Sequence, residues 1–96
     1  MAGTSADIHH DRANGCFLTE VDGNTARLDY DLDTGAGRLV VTHTGVPEAI
    51  GGRGIAAALM TALLEFARDE RIKVVPACSY AAAFMRRHPQ YADLLA

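Results

Sequence analysis

Between Gly45 and Ile55 the hydrophobic period of this sequence changes, and few small folds accommodate that change. Upstream, the residues from Cys16 to Val21 favour a strand, and Asp22-Gly23 signals a tight hairpin turn. A second strand follows over Thr25 to Leu32, with Leu28, Tyr30 and Leu32 on one face. Asp33-Thr34-Gly35-Ala36-Gly37 is a second turn. Arg38 to Thr44 reads as a third strand, ending at Gly45-Val46-Pro47. Downstream, Ile55, Leu59, Leu63 and Phe66 recur at helical spacing with Ala56, Met60 and Ala67 beside them. Thr61, Glu65, Arg68 and Asp69 fill the opposite face, so an amphipathic helix is predicted from about 53 to 71. A fourth strand over Ile72 to Pro76 comes next, then a short helix from Ser79 to Arg87. His88-Pro89 breaks that helix, and Tyr91 to Leu95 packs back. The order β-β-β-α-β-α implies an α/β fold: an antiparallel three-strand meander, a long helix, a fourth strand parallel to the third, and a C-terminal helix.

A chain of 96 residues holds one domain. We read residues 1–15 as a loose leader, small, polar and aperiodic, with Ile8 packing onto the domain that occupies 16–96. His9-His10 in that leader either binds a metal or is solvated; no supporting ligands stand at a suitable spacing, and no metal is expected. The net charge of −3, scattered along the chain, disfavours a nucleic-acid partner. Two cysteines, Cys16 and Cys78, are too few for a disulfide framework. With no apolar signal segment and no membrane-length apolar run, a cytoplasmic location away from membranes is expected.

The residues at the change of period are Gly51-Gly52-Arg53-Gly54-Ile55-Ala56. Glycines strip side chains from a loop and let its backbone N–H groups face outward. The helix that starts there adds its own unpaired N–H groups and the positive end of its dipole. The combination suits a pyrophosphate or similar anion, and Arg53 supplies a mobile positive charge. The plainer reading is a flexible passage from strand to helix. A nucleotide-binding P-loop would continue with Lys and then Ser or Thr, whereas this loop continues with Ile55 and Ala56. Gly52-x-Gly54-x-x-Ala57 fits the loose dinucleotide fingerprint, but it follows hairpin-joined strands and sits well after Thr44. Val74-Val75 in the next strand also lacks the acidic residue that grips a ribose.

Four segments together carry a family likeness: His43-Thr44-Gly45-Val46-Pro47-Glu48, Gly52-Arg53-Gly54-Ile55-Ala56, Pro76-Ala77-Cys78-Ser79-Tyr80 and Arg87-His88-Pro89-Gln90-Tyr91. In content and order they resemble the small single-domain branch of the Gcn5-related N-acetyltransferases, over nearly all of Phe17 to Leu95. The family's pyrophosphate loop runs Arg or Gln, two residues, Gly, one residue, then Gly or Ala. Gly54 and Ala56 match its end, and Gly51 stands where the Arg or Gln would be. The resemblance implies acetyl-CoA as the cofactor, held by the loop from Gly51 to Ala56. Thr44 and Val46 would line the pantetheine arm with backbone groups, opposite Val75 to Ala77. A free N–H near Val46 would meet the oxyanion formed when an amine attacks the thioester.

Three residues are candidates for the chemistry itself. Cys78, just after the fourth strand, is either a nucleophile favoured by a helix N-terminus or a packed small hydrophobe. His43, near the end of the third strand, is either the base for the substrate amine or a strand residue fixing local hydrogen bonds. The tyrosine that many superfamily members use as general acid falls on Arg86 here. Tyr80, one turn earlier, either substitutes for it or packs with a wet hydroxyl. Arg86, Arg87 and His88 make a small basic patch at a helix C-terminus. The short chain leaves the acceptor groove open, which suits a peptide or protein amine. Two readings therefore stand: an N-acetyltransferase, or a CoA-binding module without turnover. A plain interaction domain with no ligand ranks behind both.

Overall fold

The computed structural model describes residues 7–96, so the calls on residues 1–6 lie outside it. Five strands form one sheet in sequence order: β1 (His9–Asp11), β2 (Cys16–Val21), β3 (Asn24–Asp33), β4 (Arg38–Gly45) and β5 (Lys73–Pro76). The first four are antiparallel and β5 runs parallel to β4, with the long helix α1 (Ile55–Glu70) as the crossover. Helix α2 (Ser79–Arg87) and a 3-10 turn over Pro89–Leu94 close the chain. The meander thus has one strand more than expected. The stretch read as a loose leader contributes β1, paired to β2 from His9 with Leu18 to Asp11 with Cys16. Ile8 packs on the core, as expected.

Turn chemistry sets the register. Asp22 and Gly23 both adopt left-handed backbone, φ 52° and 78°, the geometry of a two-residue type I′ hairpin, and Val21 faces Asn24 across it. Strand β3 alternates cleanly, burying Ala26, Leu28 and Tyr30 while exposing Arg27 and Asp31. Helix α1 inserts Ile55, Leu59, Met60, Leu63, Leu64 and Ala67 against that buried face. Each fully buried leucine is worth roughly 1.5–3 kcal/mol. The helix stops at Arg71, which takes a left-handed conformation (φ 59°) where glycine is the usual choice. The Arg71 amide donates to Arg68 and that of Ile72 to Ala67, so two of the last four carbonyls are satisfied.

Helix α2 adds Ala81, Phe84 and Met85 to the same core, with Tyr91 and Leu94 from the final turn. Tyr91 donates its hydroxyl to Glu65 at 2.8 Å. The outer edge of β5 is covered where Leu95 bridges Val74 and the Ala96 amide donates to the Val74 carbonyl. The opposite face of the sheet carries Arg27, Asp29 and Asp31 and no helix.

Candidate active site

Two irregularities in β4 create the site. Asp29 pairs with His43, yet Tyr30 pairs with Val41, so Thr42 is an extra residue and the strand bulges there. Without the bulge, alternation from buried Val41 would turn His43 inward and Thr44 outward. With it, His43 pairs with Asp29 on the open face, and Thr44 pairs with buried Leu28 on the helix side. The second irregularity is the end of pairing with β5. The ladder stops at Val41–Pro76, where the amides of Ala77 and Cys78 both donate to the Val41 carbonyl, at 3.0 and 3.1 Å. Beyond that point β4 runs on to Gly45 unpaired on its β5 side among the described residues, and the two strands part.

Each predicted residue can now be placed. Thr44 and Cys78 meet where the strands part, Oγ1 to Sγ at 3.5 Å. Cys78 is also the N-cap of α2, its sulfur accepting from the Ala81 amide at 3.4 Å. Two polar groups thus converge on a half-buried sulfur. His43 is exposed, and its ring lies over Gly45, with Nε2 3.2 Å from where a side chain at that position would begin. Gly45 is therefore a close-approach glycine. No hydrogen bond among the described residues joins His43 to Cys78. Tyr80 stands in the first turn of α2, half-buried and 6.0 Å from the Phe84 ring. Burial pushes its phenol above the usual range, while Arg87 draws it the other way. Arg86 is exposed at the helix end.

The glycine loop lies between a short 3-10 turn (Glu48–Ile50) and α1. Ile50 and Ile55 are buried and anchor its two ends, so Ile55 offers a ligand its amide and not its side chain. Gly52 (φ 77°) and Gly54 (φ 74°) are left-handed, and a side chain on either would project into open space. Gly54 caps α1 without any side-chain hydrogen bond. Among the described residues, no backbone partner meets the amides from Gly52 to Ala57; the first to be paired is Ala58, which donates to Gly54. The Val46 amide likewise has none. Six consecutive free donors at the positive end of a helix fit a pyrophosphate, and the space before Gly52 and Gly54 leaves room for one. Arg53 has a partner that the sequence does not suggest: its guanidinium donates to Asp22 in the β2–β3 turn at 2.7 Å. That partner went unseen because a turn signal does not say what the turn stands beside.

The metal alternative for His9-His10 meets a different arrangement. His10 stacks on Phe17 at 3.9 Å and bonds the Tyr30 hydroxyl, while His9 is exposed. Among the described residues, no three His, Cys, Asp or Glu side chains gather at ligand spacing. No helix there is long and apolar enough to cross a membrane.

The comparisons with known proteins agree with this geometry. The family model described as GCN5-related N-acetyl-transferase matches residues 16–94. Protein NATD1 of Homo sapiens is 33% identical over 99 residues, covering 97% of this chain and 85% of its own. Protein NATD1 of Xenopus tropicalis is 32% identical over 96 residues, covering 96% of this chain and 87% of its own. A GCN5-like protein of Staphylococcus aureus, solved by NMR, superposes with a TM-score of 0.75 at 26% identity, over 97% of this chain and 90% of that one. With the bulged strand, the parted β4–β5 pair and the bare helix N-terminus in view, these matches show that the chain belongs to the GCN5-related N-acetyltransferase family, whose chemistry is acetyl transfer.

Proposed function

We propose that this protein takes acetyl-CoA and transfers its acetyl group to a primary amine, that of a peptide or protein. The observation that carries the reading is the run of unpartnered amides from Gly52 to Ala57, beside the point where β4 and β5 part. Those amides would hold the pyrophosphate. Thr44 and Val46 on one side of the parted strands, and Val75 to Ala77 on the other, would form a cleft for the pantetheine arm. Acetyl-CoA supplies an activated thioester, and the protein must then receive an amine, remove its proton and stabilise the carbonyl oxygen. His43, exposed and paired with Asp29, would accept that proton from an amine arriving over the sheet. The free Val46 amide serves the oxygen, a contribution worth ~3–4 kcal/mol of barrier in such sites. Cys78 lies at the inner end of the cleft, where it takes either a covalent role or a packing one. The open sheet face suits an extended, bulky acceptor. Both cysteines stand unpaired, in keeping with a reducing cytoplasm, where we place the protein.

A second reading, a CoA-binding module without turnover, draws support from exposed Arg86 in the position of the family's tyrosine acid and from the lack of a hydrogen bond between His43 and Cys78 among the described residues. A thermal melt with excess acetyl-CoA, followed by an assay of free thiol release with and without amine acceptors, separates the two. A ligand at 100 times its Kd adds ~2.7 kcal/mol, which for a domain of this size raises the midpoint by ~10–20 °C. We expect that shift, its loss in Gly54→Val, and amine-dependent thiol release. A shift without release establishes the binding module, and no shift at millimolar ligand removes both readings.

A further inference from the structure

The glycine loop and the β2–β3 hairpin are distant in sequence, and one ion pair joins them. Arg53 is the only Lys or Arg between Arg38 and Arg68, and so the only permanent cation the loop has. Its backbone is set between two left-handed glycines, Gly52 and Gly54. Its partner Asp22 is held in a type I′ turn, at 2.7 Å from Nη1. The carboxylate therefore stands within one arginine side chain of the free amides from Gly52 to Ala57. An anion settling on those amides gains Arg53 only by drawing it from Asp22. Both side chains are more than half exposed, at 51% and 66%, so the pair is weakly held and open to exchange.

We propose that Asp22 is an electrostatic latch on Arg53 and sets how much phosphate charge a ligand must carry to engage it. A ligand rich in phosphate takes the guanidinium over; a weakly charged one leaves it with Asp22 and binds the amides alone. The identity of the ligand as CoA rests on the function proposed above, whereas the latch concerns any phosphate at this loop. Asp22 acts through Arg53 and is a positioning residue for the cofactor site.

A double-mutant cycle read by calorimetry at low salt tests this, with wild type, Asp22→Asn, Arg53→Gln and the double variant titrated with CoA. Asparagine tolerates left-handed backbone, so the hairpin is kept. We expect Asp22→Asn to bind CoA roughly threefold to fivefold tighter, the range an exposed ion pair can supply. Arg53→Gln should bind more weakly, and Asp22→Asn should change nothing once Arg53 is gone. Unchanged or weaker binding by Asp22→Asn overturns the latch. An equal gain in the Arg53→Gln background also overturns it, because the carboxylate would then act on the ligand directly. Failure of the wild type to bind CoA would instead count against the proposed function. The same four proteins titrated with inorganic pyrophosphate then decide the latch, and an absent or unchanged response there overturns it.

Discussion

The two ends of the sheet meet opposite requirements. At the β1–β2 end, His10 lies flat on Phe17 (3.9 Å between centroids, 9° between planes) and edge-on to Phe66 at 4.5 Å. The same ring bonds the Tyr30 hydroxyl at 2.6 Å, and the Arg12 guanidinium covers Phe66 at 5.2 Å. The rings of His10, Phe17, Tyr30 and Phe66 are all neighbours of one another. At the β4–β5 end, strands separate, a bulge interrupts the ladder, and a helix begins without a side-chain cap. One end is held by stacked rings, whereas the other leaves the amides from Gly52 to Ala57 without backbone partners among the described residues.

The comparison breaks first at its closed end. Phe17→Ala removes the surface on which β1 is stacked, and a buried Phe→Ala change costs about 3–5 kcal/mol. Urea unfolding should show that loss, while the fraction still folded binds CoA as the wild type does. Weaker binding by folded protein would mean that the two ends are coupled. At the open end, Gly45→Ala should do the reverse. A methyl group there meets the His43 ring at 3.2 Å and displaces it. We expect turnover to slow roughly tenfold, with stability and CoA affinity little changed. Turnover at the wild-type rate would take His43 out of the chemistry.

The subtlest test is pH. Burial, then Arg12 and His9, lower the His10 pKa below its usual 6.5. A histidine depressed in the folded state leaves the unfolded chain binding more protons. Its contribution to stability is complete above about pH 6.5 and is lost as pH falls through the folded value. Urea midpoints measured downward from pH 7.5 should therefore fall, and His10→Phe should flatten that fall. An unchanged slope in the variant would assign the dependence to other groups.

Much of this architecture was legible in the sequence, and the exceptions share a cause. The heptad-like recurrence of Ile55, Leu59, Leu63 and Phe66 located α1, and Ser79 to Arg87 gave α2 at its observed bounds. Both signals are local. Strand β1 was missed because His9-His10-Asp11 has no periodicity of its own, and its place depends on Phe17 and on Phe66, far along the chain. The bulge was invisible because Arg38 to Thr44 reads as an unbroken strand; only the partner residues of β3 reveal that Thr42 is extra. Arg53 was legible as a loop cation and illegible as the partner of Asp22, since nothing local links positions 22 and 53. The meeting of Thr44 with Cys78 depends on two strands parting after four paired residues, which no alternation pattern encodes.

The surplus residue in β4 also bears on how such a chain tolerates insertion and deletion. Along a regular strand, gaining or losing one residue exchanges the faces of everything beyond it. At Thr42 the spare residue is exposed and already lies outside the ladder, its hydroxyl touching only the Asp29 carbonyl. Deleting it would bring His43 directly after Val41 and still leave it opposite Asp29, with Thr44 still opposite Leu28. Length variation in this strand should therefore concentrate at that one position, a hinge in the genetic text where the spacing between the buried half of β4 and its chemical half can change without either half losing its orientation.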